Sequence, residues 1–160
     1  MPRKVPLYKL EFNKIAVIRF GKNEEVKQTL PTIRVLKRQY PQAKIHFIVK
    51  EQYADVLKNV KEIHKIHTIK KAMFALMETH DEVAKEFIDV VFDLQNDFRS
   101  AFLYSAFPYA PKVMYRKYMT ETFLTKFLEI PLKDPIPPLW KRFLHTLPRQ
   151  EYEINDADFE

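Results

Sequence analysis

Short apolar segments alternate with amphipathic segments along most of the chain. Three apolar runs rich in β-branched residues predict buried strands at residues 14–20, 44–49 and 88–93. Weaker strands are expected at 63–69, where the apolar alternation slips, and at 112–115. Helical spacing predicts helices at residues 24–40, 51–60, 72–86, 99–107 and 121–128. Strands that alternate with helices are typical of βαβ units, so we expect an α/β fold: a single Rossmann-like, three-layer domain with a mainly parallel sheet.

The first predicted helix has clear start and stop signals. Asn23 is a candidate N-cap, and the acidic residues that follow it suit the positive end of the helix dipole. Pro31 is expected to kink this helix, and Pro41 to end it.

Ligands of parallel α/β sheets bind at the carboxyl ends of the strands. In this sequence that edge is expected to be built from residues 21–25, 93–99 and 115–117.

The composition of the sequence changes after Ile130. Four of the 11 prolines fall within residues 131–138, which predicts an extended linker. A last helix is expected from Leu139 to Leu147. We therefore divide the chain into a Rossmann-like domain at 1–130, a Pro-rich linker and terminal helix at 131–150, and an acidic tail at 151–160 that is either disordered or a docking segment. The apolar side of the last helix carries Trp140, Phe143, Leu144 and Leu147.

Composition excludes several kinds of site. The chain has no cysteine, which rules out disulfides, thiolate catalysis and Cys-ligated zinc. Its single glycine, Gly21, argues against Gly-rich loops that bind phosphate. The five histidines show no metal-ligand spacing, and His64 and His67 are expected on opposite faces of a strand. We therefore expect no metal and no cofactor.

The net charge of +6 points to an anionic partner, because residues 151–160 carry five of the 21 acids and the rest of the chain is more basic still. Solubility alone explains the charge equally well. No apolar run approaches the ~18 residues of a transmembrane helix, and the basic start lacks the apolar segment of a signal peptide. We expect a cytoplasmic location, with the inner face of the cytoplasmic membrane as a further candidate.

Three segments, in order and at matching spacing over about residues 14–130, resemble glycosyltransferase family 9, the lipopolysaccharide heptosyltransferases. Residues 15–21 (IAVIRFG), followed by Glu25-Val26, by Thr29-Leu-Pro31 and by LKRQYP at 36–41, are similar to the family's opening strand, its G-A-L-G-D-V loop, its T-x-P and the helix that follows. Residues 92–100 (FDLQNDFRS) are similar to D-L-Q-x-N-x-R-S, and residues 112–116 (KVMYR) to R-I-G-Y/F-x-R.

The resemblance implies the acceptor-side half of an architecture with two Rossmann-like domains (GT-B), whose other half binds ADP-heptose. The sequence ends where that donor domain is expected to begin. The family uses a carboxylate of the first loop as base and no metal, which implies Glu25 as the base. The loop has diverged, however, because Glu24 replaces its second glycine and Met114 replaces the glycine of the third motif. The resemblance also implies an acceptor site formed by Gly21, Asp93, Gln95, Arg99, Ser100 and Arg116. Simpler roles compete with these: a helix-dipole acid for Glu25, loop hydrogen bonding for Asp93 and Gln95, and capping or surface charge for the arginines.

Aromatic and basic residues are interleaved in residues 98–127, a composition that suits a protein partner, a membrane interface or stacking on single-stranded nucleic acid. Packing in the core accounts for many of these rings as well. Three functions therefore remain. The first is a degenerate, non-catalytic half-domain that serves as an accessory subunit and contacts another protein chain or an anionic membrane through residues 98–147, with Trp140 as anchor. The second is the acceptor-binding half of a split or truncated glycosyltransferase that acts on the lipopolysaccharide core. The third is a basic nucleic-acid-binding module, which rests on charge alone.

Overall fold

A five-stranded, fully parallel sheet forms the centre of the structure, a computed structural model that describes residues 6–72 and 74–160. The strand order is β3-β2-β1-β4-β5, so the chain moves outward from β1 on one side and then crosses to the other. This confirms the predicted α/β class and the parallel sheet. The strands are β1 (Lys14–Ile18), β2 (Lys44–Lys50), β3 (Ile63–Ile69), β4 (Val90–Asp93) and β5 (Lys112–Met114).

Helices connect the strands in the expected order. The α-helices are α1 (Asn23–Lys27), α2 (Leu30–Gln39), α3 (Ala75–Ala84), α4 (Phe98–Tyr104), α5 (Met119–Phe127) and α6 (Leu139–Leu144). Three 3-10 helices lie at Leu7–Lys9, Glu51–Leu57 and Asp156–Phe159.

Both faces of the sheet are covered, which gives the three layers. On one face, Ile15, Val17 and Phe47 pack with residues of α2 such as Ile33. On the other face, Ile18 packs with residues of α3 and α4 in a second cluster. Alternate residues of the central strands thus enter opposite cores, which explains why these strands read as continuous apolar runs.

The predicted helix 24–40 is two helices rather than one kinked helix. α1 ends at Lys27 and α2 begins at Leu30, with Pro31 in the first turn of α2. A proline there costs no hydrogen bond, because the first N–H groups of a helix have no partner within it. Asn23 is the first residue of α1 rather than its cap, and Lys22 precedes it without a side-chain capping bond.

A bulge shifts the pairing of β3 with β2. Ile45 pairs with Ile63, whereas His46 pairs with Lys65, so His64 is the extra residue. The bulge places Ile63 and Ile66 against the same core, while Ile69 packs against the other. This is the physical origin of the slip in the apolar alternation of this strand.

The C-terminal segment folds back onto the domain, which corrects two expectations. Phe143, Leu144 and Leu147 are buried in the same core as β1 and α2, and the half-buried Trp140 packs against that core. These four side chains therefore do not present an open surface to a partner, and α6 is not separate from the Rossmann-like domain. The hydrophobic effect explains this packing, because α6 covers apolar sheet and helix surface that would otherwise face water.

The acidic tail is also docked, on the chain's own basic helix. The Asp158 carboxylate accepts a hydrogen bond from Arg38 (Nη2 to Oδ2, 3.0 Å), and the Phe159 ring lies edge-on to Trp140 at 5.3 Å. The hydrogen bond from Arg38 lowers the pKa of Asp158. The tail thus neutralises part of α2.

Candidate functional site at the carboxyl ends of the strands

The loop after β1 is organised by an ion pair between Arg19 and Glu25. Arg19 Nη2 lies 2.8 Å from Glu25 Oε2, and the two side chains are 7% and 43% exposed. Glu25 lies in the first turn of α1, so the helix dipole also favours its negative charge. The residue expected to act as a base is therefore engaged by a buried guanidinium.

Gly21 is needed in this loop because of close approach, since its φ is not positive. A Cβ at this position would overlap Glu25 Oε2 and lie 2.9 Å from Arg19 Nε. The ion pair thus fills the space that the glycine leaves.

Arg19 is held on several sides. Its Nη1 donates to the Leu94 carbonyl at 2.7 Å, and its guanidinium carbon lies 5.9 Å and 5.4 Å from the ring centres of Tyr115 and Phe143. Cation–π contacts of this kind partly replace the hydration that the buried charge has lost. Its Nε is buried and has no hydrogen-bond partner within residues 6–72 and 74–160. The sequence reasoning missed Arg19, and the available signal was a charged residue directly after an apolar strand and before the only glycine.

Asp93, at the end of β4, is fully buried and occupied by its own loop. Its Oδ1 accepts hydrogen bonds from the backbone N–H groups of Gln95 (3.1 Å) and Asn96 (2.7 Å). Its Oδ2 accepts from the Ser100 hydroxyl at 2.7 Å and lies 3.6 Å from Lys112 Nζ. The side chains of Asp93 and Ser100 are fully buried and shape the loop.

Gln95 and Arg99 lie beside the first loop. The Gln95 side chain accepts from the Phe20 N–H at 2.9 Å and donates to Asp97 at 2.9 Å. Arg99 donates to Asp97 (Nη2 to Oδ2, 2.7 Å) and stacks 5.4 Å from the centre of the Phe20 ring. The structure therefore brings Gly21, Glu25, Gln95 and Arg99 to one edge of the sheet.

Asp97 organises the start of α4 and was not among the expected site residues. It caps the helix in a reciprocal capping box with Ser100. Burial opposes ionisation of Asp97, but hydrogen bonds from Arg99, the Ser100 N–H and Gln95 outweigh it and lower its pKa to about 2. Asp97 is therefore a carboxylate at neutral pH, and it holds the Arg99 guanidinium in place.

Arg116 is separate from this group. It forms an ion pair with Glu121 of α5, and its guanidinium carbon lies 4.3 Å from the centre of the Tyr118 ring. The side chain is 68% exposed.

A second polar cluster lies on the α3 side of the sheet, nearer the amino ends of the strands. His46, His67 and Glu86 have potential ligand atoms that all lie within 4.8 Å of one another. No spacing along the chain predicts this cluster, because neighbouring strands and a helix end bring the three residues together.

Comparisons with known proteins concern the fold. No family model matches the chain, and no curated protein sequence matches it either. Solved structures do match. A glycosyl transferase family 9 protein of Veillonella parvula gives a TM-score of 0.58 at 23% identity, over 66% of this chain and 32% of that one. The fold is that of one half of a family 9 glycosyltransferase.

Two Escherichia coli proteins give the same result. The structure of ADP-heptose LPS heptosyltransferase II has a TM-score of 0.56 at 20% identity, over 68% of this chain and 32% of that one. Heptosyltransferase WaaC with ADP has a TM-score of 0.61 at 16% identity, over 84% and 46%. The chain thus spans about a third to a half of these proteins. The expected resemblance to heptosyltransferases and the half of a GT-B architecture are confirmed at the level of the fold.

No helix within residues 6–72 and 74–160 has the length and apolar character needed to cross a membrane.

Proposed function

We propose that this chain is a heptosyltransferase-like half-domain that does not itself transfer sugar and that serves as an accessory subunit, binding another protein chain. The observation that carries the proposal is the Arg19–Glu25 ion pair over Gly21. A general base must offer a lone pair to the acceptor hydroxyl. Glu25 Oε2 instead accepts a hydrogen bond from a buried arginine, so this oxygen is engaged within the loop.

The second loop supports the same reading. Asp93 and Ser100 donate to and accept from groups of their own loop, and Gln95 and Arg99 are tied to Asp97. Binding an acceptor through these groups requires breaking hydrogen bonds that the domain uses for itself, which reduces the net gain.

The surface around α5 provides the binding face. Its apolar side chains are largely exposed: Met119 by 72%, Phe123 by 53% and Phe127 by 72%. Together with Tyr115 and Lys117 they line a cleft of about 530 Å³. Exposed aromatic clusters of this kind are typical of protein interfaces. This face lies within the predicted surface of residues 98–147, with α5 in place of Trp140 as its centre.

The rim of the cleft is basic. Lys117 lines the cleft, and Lys126 lies in α5 beside the lining residue Phe127; neither lysine forms an ion pair within the part of the chain that the structure describes. We therefore expect the partner to be a protein segment with apolar side chains flanked by acids, since its apolar groups fit the cleft and its charges complement the rim.

The same lysines and aromatic rings also favour a second candidate, an anionic membrane surface. Vesicle binding and crosslinking to protein distinguish the two candidates. The acceptor-binding half of a glycosyltransferase remains the alternative if Glu25 acts in sugar transfer, and nucleic-acid binding rests on net charge alone.

The experiment compares wild-type chain with Phe123→Glu/Phe127→Glu and with Met77→Glu as a control. Met77 is an apolar residue of α3 that is 56% exposed, so it tests the effect of a new surface charge elsewhere. Crosslinking in extracts of the source cells, followed by mass spectrometry, is expected to give one dominant partner that the α5 variant loses and the control keeps. Equal capture of this partner by wild type and both variants contradicts the protein-partner proposal. It is also contradicted if wild type cosediments with phosphatidylglycerol vesicles and the α5 variant does not, a result that favours the membrane.

A further inference from the structure

The cluster of His46, His67 and Glu86 lies on the face of the sheet that α3 covers and shares no residue with the first loop. His46 in β2 and His67 in β3 are 2% and 1% exposed, and Glu86 follows the end of α3. The cluster serves none of the interactions of the candidate site described above.

The bulge in β3 creates this cluster. Because His46 pairs with Lys65 and Ile48 with His67, residues 65 and 67 point to the same face as residues 46 and 48. Without the extra residue His64, the side chain of His67 would lie on the other face. A bulge that redirects a side chain in this way is a common feature of functional sites.

The distances suit a tetrahedral zinc ion. His46 Nδ1 lies 3.0 Å from His67 Nε2 and 3.9 Å from Glu86 Oε2. Ligands about 2.0–2.2 Å from a tetrahedral ion are separated by about 3.3 Å from one another, so small side-chain movements bring all three atoms into range.

A hydrogen bond with Glu82 leaves one ring nitrogen of His67 free to coordinate a metal. His67 Nδ1 donates to Glu82 Oε1 at 2.6 Å, which leaves a lone pair on Nε2 of the neutral ring. A carboxylate that holds the second nitrogen of a histidine ligand is a recurrent feature of zinc sites.

His46 is the second imidazole of the cluster, and its side chain is almost fully buried. In the metal-free network its Nδ1–H donates to His67, while its buried Nε2 has no hydrogen-bond partner among the described residues. Coordination through Nδ1 requires the proton to move to Nε2.

We propose that His46, His67 and Glu86 bind a divalent zinc ion, with Glu82 orienting His67. Two imidazoles and a carboxylate are a common protein ligand set for zinc, and water completes four-coordination. The ion would join β2, β3 and the end of α3. Its effect would therefore be to stabilise this side of the fold, by an amount that grows with zinc concentration.

Two lysines compete with the ion for Glu86. Lys65 Nζ lies 2.6 Å from Glu86 Oε1 and 3.7 Å from Glu82 Oε1, and Lys14 Nζ lies 3.8 Å from Glu86 Oε2. Removing the charge of Lys65 is therefore expected to strengthen zinc binding, an effect opposite to that of removing a ligand.

The test is calorimetric titration of the full chain with zinc chloride near pH 7.5. We expect one zinc ion per chain, at least tenfold weaker binding in His67→Gln and Glu86→Gln, and severalfold tighter binding in Lys65→Met. His145→Gln is the matched control, because His145 is exposed and lies beyond α6, and its affinity should equal that of wild type.

The proposal is overturned if wild type binds no zinc, or if both ligand variants bind it as tightly as wild type. Should His67→Gln fail to fold, Glu86→Gln with cobalt as probe decides the matter. Wild type is then expected to show the intense visible absorption of tetrahedral cobalt and the variant to lose it, whereas equal spectra for the two overturn the assignment.

Discussion

Substitution of Glu25 by glutamine tests the organisation of the first loop. The change keeps the size of the side chain and removes its charge. Sequence alone predicts a nearly neutral effect, because only a dipole interaction of ~0.3–1 kcal/mol is lost. The structure adds the contact with Arg19, whose buried side chain then keeps its charge without an ionic partner.

The expected magnitude follows from the burial of the pair. Exposed ion pairs contribute about 0.2–1 kcal/mol, whereas removing one partner of a fully buried pair costs about 3–5 kcal/mol. Glu25 is 43% exposed and its glutamine replacement still offers a carbonyl oxygen to Arg19, so water and the amide offset part of the loss. We therefore expect Glu25→Gln to lower the free energy of unfolding by about 1–2 kcal/mol.

Glu24→Gln is the matched control. Glu24 lies in the same first turn and experiences the same dipole, but its ion-pair partner among the described residues is the exposed Lys27, at 3.4 Å. Its substitution should cost no more than about 0.5 kcal/mol. Urea denaturation of both variants measures the difference, and equal free energies of unfolding would refute the reasoning that Arg19 depends on Glu25.

Three further predictions concern other parts of the fold. Ser100→Ala should lower the free energy of unfolding by about 1–3 kcal/mol in urea denaturation, because it leaves the buried Asp93 carboxylate without its hydroxyl donor. Asp97 has a pKa lowered to about 2 in the folded state, so its contribution to stability is complete above its ordinary pKa and is lost as the pH falls towards 2. The melting temperature of Asp97→Asn should therefore depend less on pH between 5 and 2 than that of wild type. Phe87 has a φ of 52° and is 82% exposed, so Phe87→Gly should raise the melting temperature by relieving backbone strain of about 1 kcal/mol, and a lower melting temperature would contradict this.

Much of the fold could be predicted from local patterns. The apolar runs at β1, β2 and β4 are buried on both faces, and such strands are recognisable because most of their consecutive residues are apolar. The break between α1 and α2 could not be predicted from the sequence, because Pro31 is compatible with either a kinked helix or the first turn of a new one.

The expectation that Trp140 of α6 anchors a partner is at odds with its packing, because an amphipathic pattern shows which face is apolar but not what covers it. Phe143 and Leu144 of α6 fill the domain's own core, whereas Phe123 and Phe127 of α5 face outward. Both helices carry apolar residues at helical spacing, and only the path of the chain after Pro131 distinguishes them.

The polar sites depend on residues far apart in sequence. The motif resemblance found Glu25, Gln95 and Arg99, which the fold brings to one edge, but it did not reveal that Arg19 engages Glu25. Likewise, His46 and His67 are 21 residues apart and meet only because a bulge changes the register of two strands. The slip in the apolar alternation of residues 63–69 marks an irregular strand, but only the pairing of the strands shows which side chains meet.

The proposed function requires that Glu25 holds the first loop and does not act as a catalytic base. The most direct measurement is transfer of heptose from ADP-heptose to an inner-core lipopolysaccharide acceptor, followed by mass spectrometry with wild-type chain and Glu25→Gln at equal concentration. We predict no product above the protein-free control with either protein. Heptosylated product with wild type that is lost in Glu25→Gln, while the variant remains folded, would contradict the claim and establish Glu25 as the base.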